Sequence, residues 1–236
     1  MIATIIIPAR LDSSRFPRKM MTDIAGKPLI VRTWEQARKS GFPVYVATPD
    51  AEIAELVHYS GGNVIMTADE CRNGTERCAE ANSVINADLV INWQGDSPLL
   101  DPSWARLLIK HMGLNMDALC GTIGCLCLPH TGMVSVETDK KGRALSFTRS
   151  ASSGENCEIM HVGLYAYWAS SLRYYVGLPE TDDEYRQSME QLRWPQDAIT
   201  VCRQPVPFHP VHEVNVPDDS LIVADLLKRR DAAVRG

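Results

Sequence analysis

Apolar residues fall along this chain in two alternating rhythms. Short runs rich in Ile, Val and Leu, such as Ala-Thr-Ile-Ile-Ile at 3–7, are each followed by a longer stretch in which apolar positions recur every third or fourth residue. The first rhythm fits strands buried on both faces and the second fits amphipathic helices. Strands are expected at 3–7, 44–48, 64–67 and 89–93, with helices at 28–39, 51–59, 75–85 and 102–112. Pro28 suits a helix start, Arg38, Lys39 and Gly41 suit its end, and Gly61-Gly62 stops the second helix. Strict alternation of strand and helix predicts a mostly parallel sheet covered on both faces.

From about residue 118 the pattern turns to strand-like pieces at 118–126, 134–138 and 144–148, the last two joined by the turn-forming Asp139-Lys140-Lys141-Gly142. A further strand is expected at 160–167, with helices at 169–178, 183–194 and 217–230. No repeat, low-complexity tract or linker interrupts the chain. The expectation is one α/β domain over 1–236 carrying a β-rich insertion at roughly 126–160.

Composition narrows the function. An apolar content of 45% over 236 residues is ample for a core. A formal charge of -5, from 24 basic and 29 acidic residues, speaks against a general grip on nucleic acid or an anionic membrane. Seven cysteines, without a CxxC pair or zinc-like His spacing, read as reduced thiols. No apolar segment is long enough to span a bilayer and no basic leader precedes the first strand, so a cytoplasmic protein is expected. Against this acidic background, Arg10, Arg15, Arg18, Lys19 and Lys27 crowd behind the first strand.

In an open α/β sheet, ligands collect beyond the carboxyl ends of the strands, which is where 8–19 lies. Ser and Arg on such a loop supply hydroxyls, amide donors and guanidinium forks that match the oxygens of a polyphosphate; a solvated basic loop is the plain alternative. No GxGxxG follows the strand, and Gly26-Lys27 is followed by Pro28 where a P-loop needs Ser or Thr. The fourth strand ends in Gln94-Gly95-Asp96, which brings a carboxylate to the same edge. Beside a polyphosphate, an Asp suits Mg²⁺, a hard cation that takes few ligands from protein. Asp101 is better placed than Asp96 to cap the helix near Pro102.

Taken in order, Pro8-Ala9-Arg10, Ser13, Arg15, Pro17 and Lys19, then Asp23-Ile24-Ala25-Gly26-Lys27-Pro28, Asn73-Gly74-Thr75-Glu76-Arg77 and Gln94-Gly95-Asp96-Ser97-Pro98 resemble the sugar-acid cytidylyltransferases of the CMP-KDO synthetase family. Phe147-Thr148-Arg149-Ser150, His161-Val162-Gly163-Leu164-Tyr165 and Glu190-Gln191-Leu192-Arg193 extend the match. The resemblance implies a Rossmann-like three-layer nucleotidyltransferase fold, a homodimer formed with the β-rich insertion, and transfer of CMP from CTP to an acid hydroxyl with Mg²⁺ and loss of pyrophosphate. It implies that Arg10, Lys19 and Asp96 serve catalysis. Pro8, Ala9, Arg10, Ser13, Ser14, Arg15, Lys19, Asn73, Gly74 and Gln94 would then hold the nucleotide. Arg77, Gln94, Arg149, His161, Tyr165, Glu190 and Gln191 would surround the acceptor, and Asp96 with Asn215 the metal.

The match breaks in places. The family's closing motif, roughly G-V-D-T-P-E-D, reads Glu213-Val214-Asn215-Val216-Pro217-Asp218-Asp219 here, so an amide stands where a metal-binding carboxylate is expected, and Glu213 or Asp218 is the candidate substitute. Ser97 replaces a Glu, a customary Lys is missing from 130–138, and 150–158 lacks the usual Ile-Pro. An eight-carbon sugar acid is the first-choice acceptor. A small phosphonate acid is the alternative, and a catalytically silent nucleotide-binding protein is the second alternative. The remaining histidines and the basic cluster at 228–230 need no ligand.

Overall fold

The computed structural model describes residues 1–13, 15–127, 133–149, 158–204 and 213–235. Strands β1 (Ala3–Pro8), β2 (Val44–Thr48), β3 (Asn63–Met66) and β4 (Leu89–Trp93) alternate with helices α1 (Leu29–Arg38), α2 (Ala51–Tyr59), α3 (Gly74–Ile85) and α4 (Ser103–Leu114). β1 pairs in parallel with both β2 and β4, and β2 with β3. The chain therefore winds outward from β1 to β3 and returns to β4 on the other side. That reversal opens a crevice between the carboxyl ends of β1 and β4.

The second half extends the same sheet. β5 (Cys120–Cys127), β8 (Glu158–Trp168) and β9 (Ile199–Gln204) complete the order β3-β2-β1-β4-β8-β5-β9, in which β8 runs antiparallel to both neighbours and β9 parallel to β5. β6 (Val134–Thr138) and β7 (Ala144–Arg149) form a hairpin off this path, and Ser135 pairs with Met160 of β8. Helices α5 (Ala169–Val176), α6 (Asp182–Gln187) and α7 (Pro217–Arg235) follow.

Period-two alternation sorts the side chains into two cores. Ile5, Ile7, Val46, Ile91 and Trp93 face Ile30, Trp34, Ile53 and Leu108 of the helices on one side. Ile6, Val90, Tyr165 and Tyr167 face Cys78, Ala81, Leu172 and Trp194 on the other. A third cluster, Ile24, Leu29, Val214, Val223 and Leu227, seats α7 against the start of α1. The result is the expected three-layer α/β fold.

Two elements differ from the sequence reading. β9 was not anticipated, although Ile199-Thr200-Val201 is a β-branched run and is fully buried. The single helix expected at 183–194 is instead α6, a left-handed Ser188 at φ 52° and a 3₁₀ turn at Glu190–Arg193. The reason is a buried ion pair: Arg193 Nη2 lies 2.6 Å from Glu184 Oε1. In a continuous helix these residues would sit roughly 13 Å apart along the axis, on opposite faces, so the segment must fold back to join them.

Candidate active site

The loop after β1 is pinned before it reaches its basic residues. Ala9 N–H donates to Ala47 O at 2.9 Å and Leu11 N–H to Asp50 Oδ2 at 2.7 Å. Arg10 and Arg15 are exposed at the crevice edge and Ser13 is half-buried; the expectation for Ser14 lies outside the described residues. Arg18 pairs outward with Glu52. Lys19 turns inward, and its Nζ lies 2.6 Å from Asp96 Oδ2, with the two side chains 10% and 20% exposed. The basic loop and the end of β4 thus meet in one ion pair.

Below that loop, Asp23 to Pro28 makes a two-residue hairpin. Ile24 N–H donates to Lys27 O at 2.7 Å, and the central Ala25 and Gly26 both have positive φ, the type I′ signature. It delivers Pro28 as the N-cap of α1.

At the end of β4, Gly95 lets the strands approach: a Cβ there would lie 2.9 Å from Pro8 O and 3.2 Å from Met20 Sδ. Asp96 is left for the crevice because Asp101 Oδ1 accepts from Ser103 N–H at 2.8 Å and so caps α4. The Asp96 backbone carbonyl accepts from Val214 N–H at 2.9 Å, which brings Glu213 and Asn215 alongside. Asn215 Oδ1 accepts from Arg15 Nη2 at 3.1 Å, and Asn215 Nδ2 donates to Glu213 Oε2 at 3.3 Å. Glu213 reaches over Gly163, where a Cβ would lie 2.8 Å from Glu213 Oε1. Asp219 bonds to the N–H groups of Asn215 and Val216 at 2.8 and 2.9 Å, which holds the start of α7.

Of the residues expected to surround an acceptor, Gln94, His161, Tyr165, Glu190 and Gln191 gather at the end of β4, on β8 and on the 3₁₀ turn at Glu190–Arg193. Gln94 Nε2 donates to Glu190 Oε1 at 3.1 Å, and Thr75 N–H donates to Glu190 Oε2 at 3.0 Å. Burial raises the Glu190 carboxyl above its ordinary value, against the opposing effect of these donors. Tyr165 OH donates to Gln191 Oε1 at 3.2 Å, and burial pushes its phenol far up, so it stays a donor at neutral pH. The His161 ring lies between Phe147 and Tyr165, with centroids 5.4 and 5.2 Å away.

Three of the expected residues are engaged by groups of the protein itself. Arg77 is buried and donates from Nη1 to Thr67 Oγ1 at 2.6 Å and Ala68 O at 3.0 Å, beyond the end of β3. Asn73 caps α3 by accepting from Glu76 N–H at 3.0 Å, while its Nδ2 donates to Tyr175 OH and Glu184 Oε1. Gly74, not the Asn73 amide, lies against Pro8 and Gln94, with Pro8 Cγ 3.1 Å and Gln94 Nε2 3.3 Å from where a Cβ would stand. Arg149, exposed at the end of β7, donates from Nη2 to Gln187 O at 3.1 Å and so ties the hairpin to α6.

Sequence reasoning missed Glu76, Tyr175, Glu184 and Thr75, which stand behind these groups. Burial would raise the Glu76 carboxyl, but hydrogen bonds from Arg72 and Arg193 outweigh it and hold the group below its ordinary value. Thr75 and Glu76 had a sequence signal, as members of the run at the start of α3.

The family model described as "Cytidylyltransferase" matches residues 4–199. The 3-deoxy-manno-octulosonate cytidylyltransferase of Chlorobium limicola is 40% identical, over 97% of this chain and 98% of its own. That of Pelodictyon phaeoclathratiforme is 41% identical over 85% and 87%. The solved structure of CMP:2-keto-3-deoxy-manno-octonic acid synthetase complexed with CTP superposes with a TM-score of 0.87 at 32% identity, over 98% of this chain and all of that one. HddC from Yersinia pseudotuberculosis shares the fold alone, with a TM-score of 0.71 at 17% identity. A crevice that joins a basic loop to a strand-end carboxylate, together with these matches over nearly the whole chain, shows that it belongs to the cytidylyltransferases, a family of nucleotidyltransferase enzymes.

Proposed function

We propose that the chain transfers CMP from CTP to 3-deoxy-manno-octulosonate, a 2-keto-3-deoxy sugar acid. The observation that carries this reading is the Lys19–Asp96 pair at the mouth of the β1/β4 crevice. It sets cationic and anionic chemistry side by side where a triphosphate meets its acceptor. The names of the relatives supply the acceptor, and they favour a sugar acid over a phosphonate.

In the transfer, the acceptor hydroxyl oxygen bonds to the α-phosphorus as the bond from that phosphorus to the bridging oxygen breaks. The hydroxyl proton goes to solvent and pyrophosphate leaves with the electron pair. Arg10, Arg15 and Lys19 hold the triphosphate and offset the negative charge that grows on the leaving group. Arg149, His161, Tyr165, Gln94, Glu190 and Gln191 hold the acid, whose carboxylate matches a guanidinium fork.

The Asp96 carboxylate pairs with Lys19, and the Val214–Asp96 backbone bond brings the Glu213 carboxylate and the Asn215 amide alongside, so the oxygens at this edge would suit a hard cation such as Mg²⁺. Among the described residues, no group of three His, Cys, Asp or Glu is placed to hold a metal ion by itself. Held by Asp96, Glu213 and Asn215, a bound cation would supply positive charge to offset that of the phosphates.

Leu126 and Leu145, 52% and 58% exposed near the β6/β7 hairpin, fit a homodimer formed through this region. No described helix is long and apolar enough to cross a membrane, and the free thiols of Cys71, Cys78, Cys120, Cys125 and Cys202 fit a cytoplasmic enzyme.

The test is pyrophosphate release from CTP and Mg²⁺ with 3-deoxy-manno-octulosonate, a small phosphonate acid and a neutral hexose as separate acceptors. Release with the sugar acid alone is expected. Release with the phosphonate alone moves the acceptor assignment, and efficient use of the hexose with both acids inert sinks it.

A further inference from the structure

Behind the acceptor-side residues lies a buried knot of charge that the transfer itself does not touch. The Arg193 side chain has no exposed surface, yet all three of its nitrogens are engaged. Nε and Nη2 donate to Glu184 Oε2 and Oε1 at 2.7 and 2.6 Å, and Nη1 donates to Glu76 Oε1 at 2.6 Å. The guanidinium carbon also lies 4.6 Å from the centroid of the Tyr175 ring. Tyr175 OH in turn donates to the Glu190 carbonyl at 3.1 Å and accepts from Asn73 Nδ2 at 2.9 Å. One planar fork thereby joins α3, α5, α6 and the 3₁₀ turn.

Stability alone does not explain such a knot. A buried ion pair is often no more stable than apolar residues of the same volume, because desolvation cancels the attraction. What the fork supplies is fixed geometry. Arg193 stands three residues after Glu190 on a 3₁₀ turn, where side chains at i and i+3 eclipse. Arg193 holds the turn to Glu76, and Glu190 holds it to the N–H of the adjacent Thr75. The turn is thus fastened to α3 at two successive residues. The free oxygen of Glu190 then aims the Gln94 amide, which stands at the crevice.

We infer that Arg193 is a positioning residue for the acceptor, which sets Glu190 and, through it, the Gln94 amide at the place where the acid is held. This rests on the transfer reading given above. The test is a double-variant cycle on the full chain, read as pyrophosphate release with 3-deoxy-manno-octulosonate varied at saturating CTP and CTP varied at saturating acid. Arg193→Lys keeps the charge and loses the fork. It is expected to lower kcat/KM for the acid by about tenfold or more while the KM for CTP stays within about twofold. Glu190→Gln is expected to do the same, and the double variant to fall no further than the worse single one, because both act on one group. A core truncation in α2, Ile53→Ala, should lower Tm and leave these constants alone. Should the lysine variant not accumulate, Glu184→Gln loosens the same fork and carries the same cycle. Unchanged kinetics in the Arg193 variant, losses that multiply in the double variant, or a KM for CTP that rises with that of the acid would each overturn the inference. An unsubstituted protein inactive with every acid overturns the transfer reading instead.

Discussion

Lys19 and Asp96 are the residues on which the crevice turns. Their contact at 2.6 Å is largely withdrawn from solvent, so each neutralises the other until ligands arrive. A triphosphate would draw Lys19, and a cation would draw the carboxylate that is released. Asp96→Asn keeps the shape and a hydrogen-bond acceptor, and is expected to lower turnover by about a hundredfold or more while circular dichroism and the unfolding transition persist. Near-normal turnover would make the strand-end motif structural. Asn215→Asp should preserve activity and lower the Mg²⁺ concentration for half-maximal rate, since it adds a charge next to Asp96. A higher Mg²⁺ requirement would tell against a cation at that edge. These residues were legible in the sequence because they are chemistry-bearing groups at the ends of strands. Arg193 was only a motif member, because a sequence does not say which charges are buried. Arg77 shows the converse: the motif is legible, but its guanidinium is bonded to Thr67 and Ala68 O.

Elements with a clear period were readable to within a residue or two. β1, β2, β4 and the helices between them carry apolar runs and breakers that agree with their place in the sheet. α6 failed because tertiary ion pairs overrode a sequence able to continue as one helix. The hairpin at Asp23–Pro28 shows a local rule broken in the native chain. Ala25 sits at φ 53°, where a Cβ is disfavoured by about 1 kcal/mol, and Arg32 holds it by bonding to Ile24 O at 2.8 Å and to Ala25 O. Asn is the residue that a type I′ turn prefers before Gly. Ala25→Asn is therefore expected to raise stability by roughly 0.5–1 kcal/mol in urea unfolding, with kcat unchanged. A loss of stability would mean that the Arg32 contacts, not the turn, set this conformation.

At the scale of the whole molecule, the sheet order places two groups of candidate residues on either side of β4. The parallel half, wound from β1, presents a basic loop at its carboxyl edge, and the half entered through antiparallel β8 presents His161 and Tyr165. A ligand that spans β1 and β4 must therefore tie together loop, strand end and the α7 segment at Asn215. Binding to the native state alone adds RT ln(1 + [L]/Kd), about 2.7 kcal/mol at a hundredfold excess over Kd. For a chain of this length each kcal/mol moves Tm by about 2–4 °C, so CTP with Mg²⁺ should raise Tm by about 5–10 °C. On the proposed reading ATP, GTP and UTP would bring the same triphosphate to Arg10, Arg15 and Lys19 but a different base to the edge near Gly74, and should give a smaller rise. CTP with Mg²⁺ should also act less strongly on Asp96→Asn, whereas the rise should be unaffected in Arg149→Ala, a residue the proposed reading assigns to the acceptor. Equal protection by all four nucleotides would leave a general triphosphate crevice and remove cytidine from the reading.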